Sequence, residues 1–193
     1  YDLNGEKSKT TNGTGVLLNS IQKDGNAEIK TSIEHGDIEF SLDFMMPKGS
    51  NSGIYLQGRY EVQLFDSWTQ QDPTFGDAGA IYQRWDESRG KGREGFEGHP
   101  PLVNVSRAPG LWQSLRIVFR APRFDSQGKK VSNAKFISVN LNGVIVQKNI
   151  EVTGPTQSAF YEDEQALGPL VIQGDHGDVA IRNISYKAYG AEE

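Results

Sequence analysis

Apolar and polar residues alternate with a period of two through most patterned stretches of the chain, the spacing of strands with one buried face. Ile38, Phe40, Leu42 and Phe44 alternate with Glu39, Ser41 and Asp43, which predicts a strand from Asp37 onward. A PKGSNSG turn cluster follows, then Ile54 and Leu56 alternating with Tyr55 and Gln57, with Gly58 and Arg59 breaking the run before YEVQLFD. That segment sets Val62 and Leu64 against Glu61, Gln63 and Phe65 and ends at Asp66. Residues 54–66 therefore predict a hairpin whose two strands share a polar face. Leu115, Ile117 and Phe119 repeat the alternation, as do Ile137, Val139 and Leu141. Asn142-Gly143 is a type I′ turn signal that returns the chain into the strand 144–146. LVIQ at 170–173 and VAIRNISY at 179–186 flank the tight GDHGD segment. The segment 1–25 holds one apolar run at 16–18 and predicts an edge strand among loops, and 155–167 is the one helical candidate.

Residues 67–111 break this pattern, with a single short apolar segment at 78–82 among charges, glycines and prolines. Loops of that length usually carry function. Many short strands with polar alternates, and 22 glycines and 8 prolines spread along the chain, predict an all-β jelly-roll sandwich with a concave ligand face. A length of 193 residues favours one domain, with 1–25 as its edge segment and 67–111 as its long loop region. Twenty basic against twenty-five acidic residues give a net charge of −5 with no basic stripe, which argues against nucleic acid as a partner. The absence of cysteine excludes disulfides, thiolate nucleophiles and Cys-ligated zinc. No stretch approaches the roughly 20 apolar residues of a membrane-spanning helix. The sequence begins at Tyr1 rather than Met, which leaves export open.

Several motifs carry little weight. GKGREG at 90–95 satisfies G-x-G-x-x-G, yet no apolar strand precedes it and no helical pattern follows, so it reads as a chance match. Asn12, Asn104 and Asn183 begin Asn-x-Ser/Thr triplets, which are frequent by chance. Serine-triad and HExxH patterns are absent, and His35 and His99 read as ordinary surface or loop residues. More informative is the run Tyr55, Gln57, Arg59, Glu61, Gln63 and Asp66, whose alternating polar and aromatic side chains suit a planar, hydroxyl-rich ligand such as a sugar. The plain alternative is a solvated outer strand face. Glu61 and Asp66 do not make a paired-carboxylate glycosidase site, because residues five apart on a strand point to opposite faces and Gln63 cannot ionise. His176 in the GDHGD turn is a candidate general base, or an exposed turn histidine. Asp175, His176 and Asp178 offer ligands to a hard cation but match no calcium-loop spacing.

NSGIYLQGRYEVQLFDSW (51–68), GAIY (79–82), APGLWQ (108–113), FRAPRFD (119–125), NG (142–143), GPLVIQGDHG (168–177) and IRNI (181–184) stand in one order along the chain. Together they resemble the 3-keto-disaccharide hydrolase domain family, a concanavalin A-like jelly roll, over residues 28–187. The charged segment 84–98 looks specific to this member. The resemblance implies action on glycosides whose C3 hydroxyl a partner sugar C3-oxidoreductase has oxidised to a ketone. The ketone acidifies the C2 proton, a base removes it, the enolate expels the C1 aglycone, and water adds to the enone, giving hydrolysis, or a lyase outcome without hydration. Under this resemblance His176 or Glu61 is the base, and Arg59 or a bound divalent cation stabilises the enolate. Tyr55, Gln57, Gln63, Gln173 and Arg182 are sugar contacts, with Asp66 and Tyr82 as secondary candidates; the metal ligands are unassigned. It also implies a periplasmic or extracellular bacterial setting. The rival expectation is a non-catalytic carbohydrate-binding module on the same fold, disfavoured because the candidate face offers only Tyr55 as an aromatic platform.

Overall fold

A computed structural model describes residues 15–20 and 28–189. Its strands are β1 (Leu17–Asn19), β2 (Ile29–His35), β3 (Asp37–Met45), β4 (Asn51–Leu56), β5 (Tyr60–Phe65), β6 (Arg84–Trp85), β7 (Gly95–Phe96), β8 (Gln113–Arg120), β9 (Arg123–Phe124), β10 (Lys130–Ser132), β11 (Ala134–Leu141), β12 (Val144–Val152), β13 (Gly168–Ile172) and β14 (Val179–Tyr189). They form two antiparallel sheets, β1-β14-β3-β8-β11-β12 and β2-β13-β4-β5, with small ribbons β9-β10 and β6-β7 beside them. This is the expected jelly-roll sandwich.

The inward face of the larger sheet presents Ile38, Phe40, Leu42 and Phe44 from β3 and Leu115, Ile117 and Phe119 from β8. The smaller sheet answers with Ile54, Leu56, Tyr60, Val62, Leu64, Leu170 and Ile172, and the two faces make one buried apolar layer. At the β11–β12 turn Asn142 has φ 53° and Gly143 φ 88°, the two positive angles of a type I′ turn. The edge strand expected near 16–18 is β1, paired with β14; the remainder of 1–14 and 21–27 lies outside the described residues.

Three expectations are corrected. Among the described residues there is no α-helix, and 155–167 is a series of turns. Its backbone donors go to neighbouring segments instead of along a helix: Thr156 N–H donates to Arg59 O (2.9 Å), Gln157 N–H to Gln83 O (2.7 Å) and Phe160 N–H to Gly58 O (3.0 Å). His35 is not a surface residue but is 1% exposed. Its Nδ1 lies 2.8 Å from Gly36 O and its Nε2 accepts the Gln57 N–H at 3.0 Å, so burial holds the ring neutral and its pKa below the usual histidine value. Residues 78–82, read as an apolar segment within a loop, extend the smaller sheet through bridges from Val62 to Ile81 and from Ile81 to His99. His99 is accordingly half-buried, with its pKa lowered by burial.

Candidate functional site

The smaller sheet's outer face holds the site. Both faces of β4 and β5 are buried, although their outward positions carry polar side chains. Register aligns Tyr55 with Glu61, Gly53 with Gln63, and Val171 with Tyr55. Segment 80–82 lies along the far side, its Tyr82 N–H donating to Glu61 O and its Ala80 O accepting from Gln63 N–H. Gln173 completes the row on the other side, with its N–H on Gly53 O. Tyr55, Glu61 and Gln63, grouped by the strand pattern, are therefore brought together with Tyr82 and Gln173, which the family resemblance added.

Glu61 is 2% exposed, and no cation among the described residues neutralises it. Burial is the main reason that its pKa is pushed up to about 8; the neighbouring Asp175 charge adds to this, and a hydrogen bond from Tyr55 opposes it. At neutral pH Glu61 therefore holds its proton. Gly53 makes the space for it, since a Cβ there would overlap the Glu61 carboxyl. Burial, Glu61 and Asp175 together raise the Tyr55 hydroxyl, and burial and Glu61 raise that of Tyr82, so both stay donors. The ring of Tyr55 meets Phe160 edge-on at 5.1 Å and that of Tyr82 meets Phe75 at 5.6 Å. Gln63 Nε2 donates to Asn51 Oδ1 (2.7 Å). Gln173 Oε1 is buried without a hydrogen-bond partner, an acceptor that a ligand hydroxyl or amide would satisfy.

His176 stands at the rim, half-exposed, its Nδ1 2.5 Å from Asp175 Oδ1. With Nδ1 donating to that carboxylate, Nε2 keeps its lone pair. Asp175 thus links His176 to the buried carboxyl, being a partner of one and a charge sensed by the other.

Four expected site residues are occupied elsewhere. Gln57 sits in the β4–β5 turn with φ 55°, its Nε2 donating to His35 O (3.1 Å) and Ala166 O (2.8 Å). Arg59 donates to Asp163 O (2.5 Å), Asp163 Oδ1 (2.7 Å) and Gln57 O (2.8 Å), and its guanidinium lies 4.8 Å from the centre of the Tyr161 ring. It clamps the 155–167 loop, with all three of its nitrogens engaged in protein hydrogen bonds. Asp66 accepts the Gly49 N–H at 2.9 Å and closes the turn before β4. Arg182 is on the larger sheet, bonded to Asp43 (3.3 Å) and stacked at 3.9 Å over Trp112. Sequence reasoning missed Phe160, Gly53 and the Asp175–His176 pairing; an isolated glycine in a strand pattern was the one available signal. Among the described residues no three His, Asp or Glu side chains converge as a metal site requires, so no chemical step is routed through a cation.

Two solved structures from Parabacteroides distasonis ATCC 8503, both provisionally assigned glycosyl hydrolases, share this architecture. One is 25% identical with a TM-score of 0.71 and covers 94% of this chain and 75% of its own. The second, 21% identical with a TM-score of 0.61 over 92% of this chain and 88% of its own, shows the shared fold alone. No curated protein matches the sequence. The shared fold and the family match define the class, a carbohydrate-active β-sandwich protein. Within it the chain belongs to the 3-keto-alpha-glucoside-1,2-lyase-like domain family, whose profile matches residues 2–187.

Proposed function

We propose that the protein cleaves 3-keto-glycosides, 3-keto-disaccharides among them, by C2 deprotonation and elimination, with or without rehydration of the enone. The observation that carries this reading is the combination of a buried, protonated carboxyl, Glu61, with a half-exposed histidine oriented by a carboxylate. Two titratable groups in contrasting environments are what an acid–base pair needs. In this reading His176 Nε2 removes the C2 proton, and Asp175 orients the ring and stabilises the imidazolium. The C2–H bonding pair becomes the enolate, and in this reading the Tyr82 hydroxyl and the Gln173 amide donate to its O3 charge. The enolate pair then forms the C1–C2 double bond as the C1–O bond breaks, and Glu61 supplies a proton to the departing aglycone oxygen. A binding module would have no use for a buried carboxyl held near neutrality, and such groups gather at catalytic sites.

The substrate implies an oxidoreductase that makes the 3-keto sugar. That partner and a periplasmic or extracellular setting belong to the proposal through family resemblance alone. The test is incubation with a 3-keto-glucoside and with its unoxidised parent, with and without EDTA, following aglycone release. Release from the keto form alone is expected. Cleavage of the parent at the same rate would overturn the elimination route, and loss of activity in EDTA would move enolate stabilisation from side chains to a cation. Calorimetric binding without any cleavage would favour the binding module.

A further inference from the structure

The functional reading leaves unused a cleft of about 630 Å3 between the β6 segment and the 155–159 turns. Its lining includes Trp85, Asp86, Gln157, Ser158 and Glu162. Trp85 is 46% exposed, unusual for an indole in a folded chain. The register explains it: the residue opposite Trp85 across the β6-β7 ribbon is Gly95, which has no side chain to cover the ring. A Cβ at Gly95 would overlap the Gln83 amide, which donates to Gln157 Oε1 at 2.8 Å, so a larger residue there would have to displace that amide. The indole is thus left open on a built frame.

Chain continuity on one side and a ring contact on the other tie this cleft to the Glu61 site. Trp85 follows Tyr82 by three residues, at most about 10 Å of extended chain, the reach of a neighbouring sugar ring. The turns that wall the cleft continue into Phe160, whose ring packs on Tyr55, the donor to Glu61. The lining chemistry is that of a neutral polyol site. The Asp86 carboxyl is held below its usual pKa by hydrogen bonds from Ser88, Glu87 and Glu162 add acidic groups, and the Arg84 guanidinium is engaged by Thr153 and Glu97. Carboxylates accept from hydroxyls and repel an anionic sugar. An indole face stacks on the apolar C–H face of a pyranose.

We propose that this cleft is the aglycone-side subsite, which holds a neutral hexose leaving group against Trp85 and makes the protein prefer 3-keto-disaccharides over 3-keto-glycosides with small aglycones. The inference rests on the functional reading above. It is tested with Trp85→Ala, whose exposed side chain makes unfolding improbable, by comparing kcat/KM for a 3-keto-disaccharide and for a methyl 3-keto-glucoside. The expected result is a loss on the disaccharide about fivefold to tenfold greater than on the methyl glycoside. Equal losses on the two substrates, or none on the disaccharide, would overturn the subsite. A second arm separates its failure from that of the elimination reading: calorimetric titration of an unoxidised neutral disaccharide into both proteins. If wild type turns over neither keto substrate yet binds the disaccharide, and Trp85→Ala weakens that binding, the subsite stands and the elimination reading falls. Equal binding by the two proteins, or binding by neither, overturns the subsite.

Discussion

Replacing Glu61 by glutamine tests the central physical claim, that burial keeps this carboxyl protonated in the folded protein. The folded-state pKa of about 8 lies above the unfolded value of 4.5. Between those pH values the folded protein holds a proton that the unfolded chain has released. The stability Glu61 contributes is therefore whole below pH 4.5 and is lost as pH rises through about 8. Each pH unit within that window removes about 1.4 kcal/mol, and the full span about 5 kcal/mol. Glutamine has nearly the same shape and does not titrate. Relative to wild type, Glu61→Gln is expected to gain about 4 kcal/mol in stability between pH 5 and pH 9, a shift of more than about 1 M in the urea midpoint. Urea unfolding followed by tryptophan fluorescence at pH 5, 7 and 9 measures it. His35 also titrates across folding: its lowered pKa makes stability fall as pH drops below 6.5. That limb is common to both proteins and cancels in the difference. Curves that run parallel within about 1 kcal/mol over the whole range would show that Glu61 is ionised at neutral pH, and the assignment of an acid role would go with them.

Three further outcomes follow from the same geometry. If Glu61 donates the leaving-group proton, kcat declines as pH rises through about 8, and Glu61→Gln loses about 10²-fold or more in kcat; a pH–rate profile flat from 7 to 9 would contradict this. His176→Ala is expected to lose about 10²–10⁴-fold in kcat with little change in Tm, because the ring is half-exposed and bonded only to the adjacent Asp175; measured turnover near wild type would remove it as the base. Gly53→Ala sets a methyl against the Glu61 carboxyl and is expected to cost about 1–3 kcal/mol in urea unfolding and to depress turnover together with it, whereas a neutral effect would mean that the carboxyl has room to move.

How far the sequence revealed this site depended on whether a residue's role was set by strand period or by its partner. Tyr55, Glu61 and Gln63 could be placed on one face because a period of two admits no other arrangement within a strand. The same logic failed at Gln57, where a positive φ of 55° takes the residue out of the period and into a turn. Arg59, Asp66 and Arg182 have the residue types of sugar contacts, but Asp163, the Gly49 amide and Asp43 claim them through pairings that span as many as 139 residues. Such distant pairings leave no trace in local spacing. The 155–167 segment misled for a related reason: its composition permits a helix, yet its donors are drawn off one by one by residues 58, 59 and 83. His35 was equally illegible, since burial against Phe119 and the Gln57 amide is a tertiary fact.

The partners of Arg59 bear on how Glu61 can remain uncharged. Arg59 is the last residue of the β4–β5 turn, two positions before Glu61, and an unpaired guanidinium close to the carboxyl would pull its pKa down and favour the ionised form. Instead Arg59 is 4% exposed and its donors converge on the Asp163 carbonyl and carboxylate and the Gln57 carbonyl. The loop that takes up this charge is held a second time by Glu164, which accepts from Tyr60 Oη at 2.7 Å and pairs with Lys130 at 2.5 Å. Three residues before the first clamp, Phe160 packs on Tyr55. One loop thus performs two tasks: it engages the Arg59 guanidinium and packs Phe160 on the tyrosine that donates to the carboxyl. Both effects favour the protonated form, and both would be lost together if the loop were released. Burial is the main cause of the elevated Glu61 pKa, and the loop contributes to it through Phe160, packed on the tyrosine that donates to the carboxyl.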